Sequence, residues 1–445
     1  MNDAMIRNIQ SLGTTEERMK ILSAVKETLH SLDPYGVVSR YLSFSSDDEA
    51  QKDVRIIGFG KASARMMAGA LDALGKKPSY AGIIIPKGME QPDLPGFVDI
   101  YRGSHPILDS SSVESTKKIL SNLDGLSDFS SVIVLISGGG SALFELPVDG
   151  ISVQDFAAVS RCVMNSGGDI HELNEIRYMM SRVKGGKLAR FLYPAGVTAL
   201  IISDVPGDDA SVIASGPLVP PTVTEEKLRQ NLEKFSRDCS DLAKLSDKLD
   251  GSIPDSSDRI FRRVQNRIIL KNTDFVNSVA NVLREDGSTV KELMIPVTGD
   301  VGEVSKFFVD TARSIFKDIQ KPFFLVAGGE TTVTVHGKGI GGRNCELSVM
   351  VSSQFSSDEE FAFASLGTDG IDGVSPAMGG ITDTAFRNEV SDGEVQASLD
   401  NNDTFTLLDR HGSAVISGFT GNNVSDIFVC YYAGKTAVAK TSSLS

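Results

Sequence analysis

The sequence predicts an α/β protein of two domains, the larger one built on a doubly wound sheet, and three observations carry that prediction. The chain has 445 residues, more than one ordinary hydrophobic core accommodates. Short β-branched apolar runs recur along it, separated by amphipathic stretches. Glycine-rich turns follow several of these runs, where an open α/β sheet presents its ligand-binding edge.

In chain order, the first strands are expected at 54–57, 81–85, 132–136 and 197–202, and a second set at 268–270, 293–297, 323–327, 361–364 and 414–416. These runs are apolar throughout instead of alternating, which fits strands covered on both faces. Helices are expected at 62–74, 113–123 and 304–316, where apolar residues keep a helical period. Alternation of strand and helix reads as a doubly wound sheet. The stretch 236–257 is rich in Ser and Asp and broken by Gly251 and Pro254, so the domain break is expected within about a dozen residues of 258, giving domains 1–257 and 258–445.

Composition narrows the function. With 41% hydrophobic and 23% charged residues the chain is globular, and a formal net charge of −14 argues against nucleic acid or an anionic membrane as partner. An anionic ligand would need a local pocket of Lys or Arg. Cys162, Cys239, Cys345 and Cys430 have neither C-x-x-C spacing nor partner histidines, so buried, reduced thiols are expected, with no disulfide framework or zinc site. The N-terminal MNDAMIRNIQSLGTTEERMK has no apolar core, and nothing approaches the ~20-residue run of a membrane helix. A cytoplasmic protein is expected.

Five loops after strands could carry chemistry. Gly58-Phe59-Gly60-Lys61 joins a strand to a helix; glycines there admit an anion near unpaired backbone N–H groups, and Lys61 sits where an anionic oxygen would lie. As a dinucleotide fingerprint it is partial, since the next strand ends in Pro86-Lys87-Gly88 without the acid that binds ribose. Ser137-Gly138-Gly139-Gly140-Ser141 offers three glycines for an anion nest and two hydroxyl donors. Asp204 follows a strand directly, and could hold Mg²⁺ or accept a proton; Asp208 and Asp209 share these options with helix capping. Glu330 ends a strand, and Gly341-Gly342-Arg343-Asn344 opens a helix, with Arg343 placed for bidentate contact to a phosphate or carboxylate. Asp369, Asp372 and Asp383 lie among glycines and are candidate metal or base carboxylates. There is no Gly-x-x-x-x-Gly-Lys-Ser/Thr loop and no H-R-D signature, so any phosphoryl transfer uses another scaffold.

Taken in order, SGGGSAL, LNEIR…VKGGKLA, SDVPGDDASVIASGP, GGETTVTV…GGRN and FTGNNVSD resemble the glycerate 2-kinase family, a class that also carries hydroxypyruvate reductase descriptions. The matching blocks run from about Ile56 to Ile427. The resemblance implies a Rossmann-like DUF4147-type N-terminal domain and a smaller α/β MOFRL domain. It also implies ATP- and Mg²⁺-dependent phosphorylation of D-glycerate at the 2-hydroxyl, feeding 2-phosphoglycerate from sugar-acid (Entner–Doudoroff) breakdown to lower glycolysis.

By that resemblance Lys61 and Arg343 are the residues most tied to activity, clamping the phosphoryl group and the acid's carboxylate where the domains meet. Ser137, Gly139, Gly140, Ser141 and Arg177 form the acid-binding cradle. Gly58, Gly60, Lys61, Gly342 and Asn344 hold nucleotide phosphates. Asp204 is the preferred base or metal-organising residue, with Glu330 and Asp369 next as metal ligands. A homo-oligomer is compatible with all of this. The chain departs from the family pattern at Tyr178-Met179, where members commonly read Lys-His, and at His336, Ile340 and Cys345, where Arg, Arg and Gln are common. Two rivals remain: an NAD(P)-dependent hydroxypyruvate reductase and a non-catalytic phosphometabolite-binding protein.

Overall fold

A computed structural model of the chain describes residues 6–43 and 53–435. The first five residues of the stretch inspected for a targeting signal lie outside the described residues, as do the outer ends of both expected domains. The chain divides into two compact units, one of Asp33–Lys271 and one of Met1–Leu32 with Asn272–Ser445.

The Asp33–Lys271 unit is built on six strands: β1 (Asp53–Phe59), β2 (Tyr80–Pro86), β3 (Asp99–Gly103), β4 (Ser130–Ile136), β5 (Gly196–Ile202) and β6 (Val264–Leu270). They lie in the order β3-β2-β1-β4-β5-β6 and every pairing is parallel. Central β4 is buried along its whole length, as its apolar sequence predicts, whereas edge strand β3 (DIYRG) is largely half-exposed and carries no apolar run by which to predict it. Ile57, Phe59, Val134, Ile136, Leu143 and Phe144 form part of one core, with the Phe59 and Phe144 rings stacked.

A second, helical core belongs to the same unit. The helices Val153–Asn165, Ile170–Met180, Glu225–Ser236 and Ser240–Leu245 bury Phe156, Val159, Ile176, Phe235 and Leu242 against one another. Capping boxes at Ser152/Asp155 and Asp169/Glu172 satisfy the first turns of two of them. One expectation is corrected here. Cys162 and Cys239, distant in sequence, are disulfide-bonded; Cys345 and Cys430 are free and buried. The polar stretch 236–257 contributes Leu242 and Leu245 to this core, while β6 pairs with β5, so the compact unit runs on to Lys271. Polar composition there marks the exposed faces of short helices.

The second unit holds β7 (Val290–Asp300), β8 (Phe323–Thr332), β9 (Glu359–Gly367), β10 (Gly379–Asp383), β11 (Ala414–Val415) and β12 (Asp426–Lys435), in the order β11-β10-β9-β12-β8-β7. Only β7 and β8 pair in parallel; the remaining pairings are antiparallel. Helix Val301–Ile319 lays Val304, Phe308 and Ala312 on this sheet, Phe308 meeting Phe363 and Phe428. The N-terminal helix Glu16–Ser31 also belongs here. Its buried Arg18 pairs with buried Asp383 at the end of β10 (2.7 Å).

No helix among the described residues is long and apolar enough to cross a membrane.

Candidate functional site

In a parallel sheet of order 3-2-1-4-5-6 the connections leave in opposite directions from β1 and β4, opening a crevice at the carboxyl ends of those two strands. Gly58 and Phe59 end β1, Gly60 and Lys61 turn out of it, and the Ser137–Ser141 loop follows β4, so both loops stand at that switch point. They are tied together. The Lys61 N–H donates to Gly138 O (2.9 Å), the Ala62 N–H donates to Ser137 Oγ (3.0 Å), and Ser137 N–H donates to Phe59 O (3.2 Å).

Gly60 is required by this contact. Its φ is +119°, and a Cβ would lie 2.3 Å from Ser137 Oγ and 2.4 Å from Ser137 O. Gly58 lies within β1, between Ile83 and Leu135 of the flanking strands. The two glycines thus serve loop and sheet packing, and Ser137, wholly buried, spends its hydroxyl on the turn. Lys61 remains half-buried at the lip.

The next loop residues reach a second network. Ser141 Oγ is 3.1 Å from Ser215 Oγ, which donates to buried Asn174 Oδ1 (3.2 Å). Ala214, Ser215 and Gly216 all have φ above +50°, and the N–H groups of Gly185 and Gly186 bond the carbonyls of Ser215 and Gly216. Two non-glycine residues held left-handed side by side cost of order 1–3 kcal/mol each, a strain that concentrates at functional loops.

Beneath the loop lies a buried ion pair. Lys184 Nζ stands 3.4 Å from Glu145 Oε2, with side chains 1% and 0% exposed, and donates to Ser141 O (2.8 Å). Burial pushes the Glu145 carboxyl up and the Lys184 ammonium down, each against the pull of the other. Lys187, also buried, donates to Tyr178 O, Ser181 O and Asp250 Oδ2. Both lysines of the Val-Lys-Gly-Gly-Lys block are therefore internal supports.

Beside the loop a cavity of about 310 Å³ opens, bordered by Gly139, Ser141, His105, Ser160, Arg161 and Arg177. Arg177 comes from helix Ile170–Met180 and donates through Nε to Ser160 Oγ (3.3 Å); among the described residues it has no carboxylate within ion-pair distance. Burial lowers its pKa. Arg161, from helix Val153–Asn165, is exposed. Gly139, Ser141 and Arg177, expected in one cradle, border one cavity in the fold. Arg161, Ser160 and His105 border it too, and in the sequence nothing but their residue type marks them. Asp204 stands half-buried two residues beyond β5. Asp209 Oδ1 accepts the Ser211 N–H (2.8 Å), a local turn contact that caps no helix, and Asp208 sits at φ +56° in the same turn.

In the second unit Arg343 opens helix Arg343–Gln354. Its Nε and Nη2 grip the buried Asp426 carboxylate (2.6 and 3.0 Å), and Nη1 meets Glu330 Oε1 at 2.9 Å. Burial opposes its charge, but Asp426 and then Glu330 outweigh it and raise the pKa. The helix start is already occupied: the N–H groups of Asn344 and Cys345 donate to the two oxygens of Asp372 (3.0 and 2.8 Å). Gly342 has extended backbone, and a Cβ there would lie 2.4 Å from Asp372 Cγ. So Gly342 admits Asp372, and Asn344 Nδ2 bonds Asp426 Oδ1 (3.0 Å). Burial raises the Asp372 carboxyl to about 6 despite those N–H groups.

The acidic candidates of this unit now separate. Asp372 caps one helix, and Asp383 caps helix Thr384–Glu389 while pairing with Arg18. Asp369 Oδ1 accepts the Ile371 N–H (3.2 Å) and lies on the opening kept by Gly367, where a Cβ would stand 3.3 Å from it and 3.5 Å from Asp426 Oδ1. Among the described residues no group of three or more His, Cys, Asp or Glu side chains is arranged to hold a metal ion.

Comparison with known proteins places both units. Residues 20–245 match the family described as a domain of unknown function, DUF4147, and residues 323–426 match the MOFRL family. The chain is 40% identical over 431 residues, covering 97% of itself and 100% of its relative, to a glycerate 2-kinase of Picrophilus torridus. It is 32% identical to a D-glycerate 2-kinase of Thermotoga maritima, covering 92% of this chain and 96% of that one. The crystal structure of a glycerate kinase from Thermotoga maritima superposes with a TM-score of 0.81 at 31% identity, covering 94% of this chain and all of the other.

Proposed function

The chain belongs to the glycerate 2-kinase family, and from that premise we propose that it transfers a phosphoryl group from ATP to the 2-hydroxyl of D-glycerate, giving 2-phosphoglycerate and ADP. The observation that carries this assignment to its own residues is the β1/β4 switch point, where Lys61, the Ser137–Ser141 loop and the Arg177 cavity stand on one edge of one sheet.

The reaction follows from positioning and charge. The acid is held by its carboxylate at Arg177, with Ser141 and the backbone of Gly139 and Gly140 around it. The 2-hydroxyl oxygen attacks the terminal phosphorus of ATP in line as its proton passes to the Asp204 carboxylate. The bond from phosphorus to the bridging oxygen breaks, and ADP leaves with the electron pair. Charge accumulates on the three equatorial oxygens, and Lys61 and Arg343 neutralise it. Arg343 is held rigid by Asp426 and Glu330, so it needs no reorganisation during transfer. Mg²⁺ keeps several waters and takes one or two carboxylates together with nucleotide phosphates, so Asp369, beside the Gly367 opening, with Glu330 as second candidate, fits its need. When bound, the ion neutralises phosphate charge.

The reductase alternative has a specific obstacle. After β2, where a dinucleotide enzyme places an acid for ribose, stands Lys87, paired with Asp109.

The test is to incubate the protein with D-glycerate, ATP and Mg²⁺ and add enolase, which converts 2-phosphoglycerate but not 3-phosphoglycerate to phosphoenolpyruvate. Enolase-dependent absorbance at 240 nm and one ADP per product are expected. Absence of ADP would rule out the kinase; ADP without the enolase signal would rule out the 2-position.

A further inference from the structure

Arg177 and Arg161 raise a question the family assignment does not answer. Arg177 is half-buried, and among the described residues its one hydrogen bond runs from Nε to Ser160 Oγ (3.3 Å), which leaves both terminal amino groups turned to the cavity and its solvent without a protein acceptor. A guanidinium whose amino groups have no acceptor in the protein is available for a two-pronged contact to an anionic ligand. Arg161, one helical position beyond Ser160, makes no hydrogen bond or ion pair among the described residues and borders the same cavity. Among the described residues no carboxylate lines that cavity; its walls include His105, the apolar Pro106, Leu108, Ala142 and Phe156, and Gly139 with Ser141. At about 310 Å³ it sits at the small end of ligand cavities.

We propose that Arg161 is a specificity residue for the acceptor: together with Arg177 it reads the carboxylate of a short-chain hydroxy acid in this cavity, and so selects acids over neutral polyols. Resting on the kinase reading for the acceptor's identity, the proposal adds the place of its carboxylate and a second cation. Arg177 supplies the planar two-pronged contact to the carboxylate oxygens. Arg161, in contact with water, supplies attraction that weakens with salt. The apolar wall faces the carbon chain, and its closeness restricts the acid to a few carbons.

Direct binding tests this apart from turnover. D-glycerate is titrated calorimetrically into the full chain, into Arg161→Gln, Arg161→Lys and Arg177→Gln, with D-glyceramide as the uncharged probe. Arg161→Gln should weaken D-glycerate binding roughly three- to tenfold at low salt, and Arg177→Gln roughly tenfold or more. Arg161→Lys should retain most of the affinity, and ATP binding should be unchanged in all three. The wild-type preference for D-glycerate over D-glyceramide should shrink in Arg161→Gln by the same factor as its loss of glycerate affinity. Equal affinity of wild type and Arg161→Gln for D-glycerate, or equal wild-type affinity for acid and amide, overturns the proposal. Arg161 is exposed, so its variant keeps the test valid even where Arg177→Gln unfolds. Loss of the enolase-coupled signal in wild type alongside normal D-glycerate binding would sink the kinase reading and leave the acid cavity standing.

Discussion

Replacing Lys184 by Met keeps most of the side chain's volume and removes its charge from a site that is 1% exposed. Glu145 would then be left with the Ser181 hydroxyl (2.5 Å) and the Leu146 N–H (2.9 Å) as partners. Breaking a buried ion pair on one side costs about 3–5 kcal/mol, because the surviving charge is uncompensated. The lost donation to Ser141 O (2.8 Å) adds about 1 kcal/mol. Burial already raises the Glu145 carboxyl, and removing Lys184 raises it further. A carboxylate whose folded pKa exceeds its unfolded one favours the fold at low pH, and that contribution disappears as pH rises through the interval between the two values. The variant's deficit should therefore be greatest at pH 8 and shrink toward pH 5. Urea denaturation at both pH values measures it, with Glu145→Leu/Lys184→Met as the control in which neither charge remains. The double variant should recover most of the loss. A deficit of Lys184→Met below about 1 kcal/mol at pH 8, or one independent of pH, would refute the buried-charge argument.

Other outcomes follow from the same geometry. Lys61→Ala should lower kcat about a hundredfold or more with little change in Tm, since Lys61 lies half-buried at the lip of its loop. Arg343→Ala should lower kcat by at least as much and also destabilise the protein by about 3 kcal/mol, because it strands the buried Asp426 carboxylate; coupled ADP assays with thermal melts distinguish the two behaviours. Asp383→Ala should cost stability through Arg18 and the Thr384–Glu389 cap, while the KM for both substrates of the folded fraction stays at the wild-type value; a selective KM change would restore Asp383 to the site. Burial alone would raise the Glu359 carboxyl, but the Arg313 guanidinium and then the Tyr432 hydroxyl hold it down at about 2. Its stabilisation is thus complete above about pH 4.5 and lost as pH falls toward 2; melts of wild type should decline over that range with an acid-dependent component missing from Glu359→Gln.

Particular residues show how much of this was legible in sequence. The Lys61 turn and the triple-glycine loop announced themselves because special residue types follow directly on unbroken apolar runs, and such runs form buried parallel strands. Strand β12 (DIFVCYYAGK) carries a comparable run, whereas β3 and β10 (GGITD) carry none. Asp369, Asp372 and Asp383 look alike between glycines. Only the approach of a helix start to Asp372 and of Arg18 to Asp383 makes two of them structural. Gly342 likewise looked like an anion-binding glycine, and its missing side chain instead makes room for Asp372.

The sequence by itself determined the α/β class, the family, and the identity of the cation-bearing loops, since these depend on local patterns of a few neighbouring residues. Only the tertiary structure decided the strand order that puts the β1 and β4 loops at one switch point, the transfer of helix Glu16–Ser31 to the C-terminal unit, and the pairing of Cys162 with Cys239. It also decided that Arg161 and Arg177, from two separate helices, border one cavity with Gly139 and Ser141. The physical reason is the same throughout: burial, pairing and capping are set by what approaches a residue from elsewhere in the chain, and that partner leaves no mark in the residue's own neighbourhood of sequence.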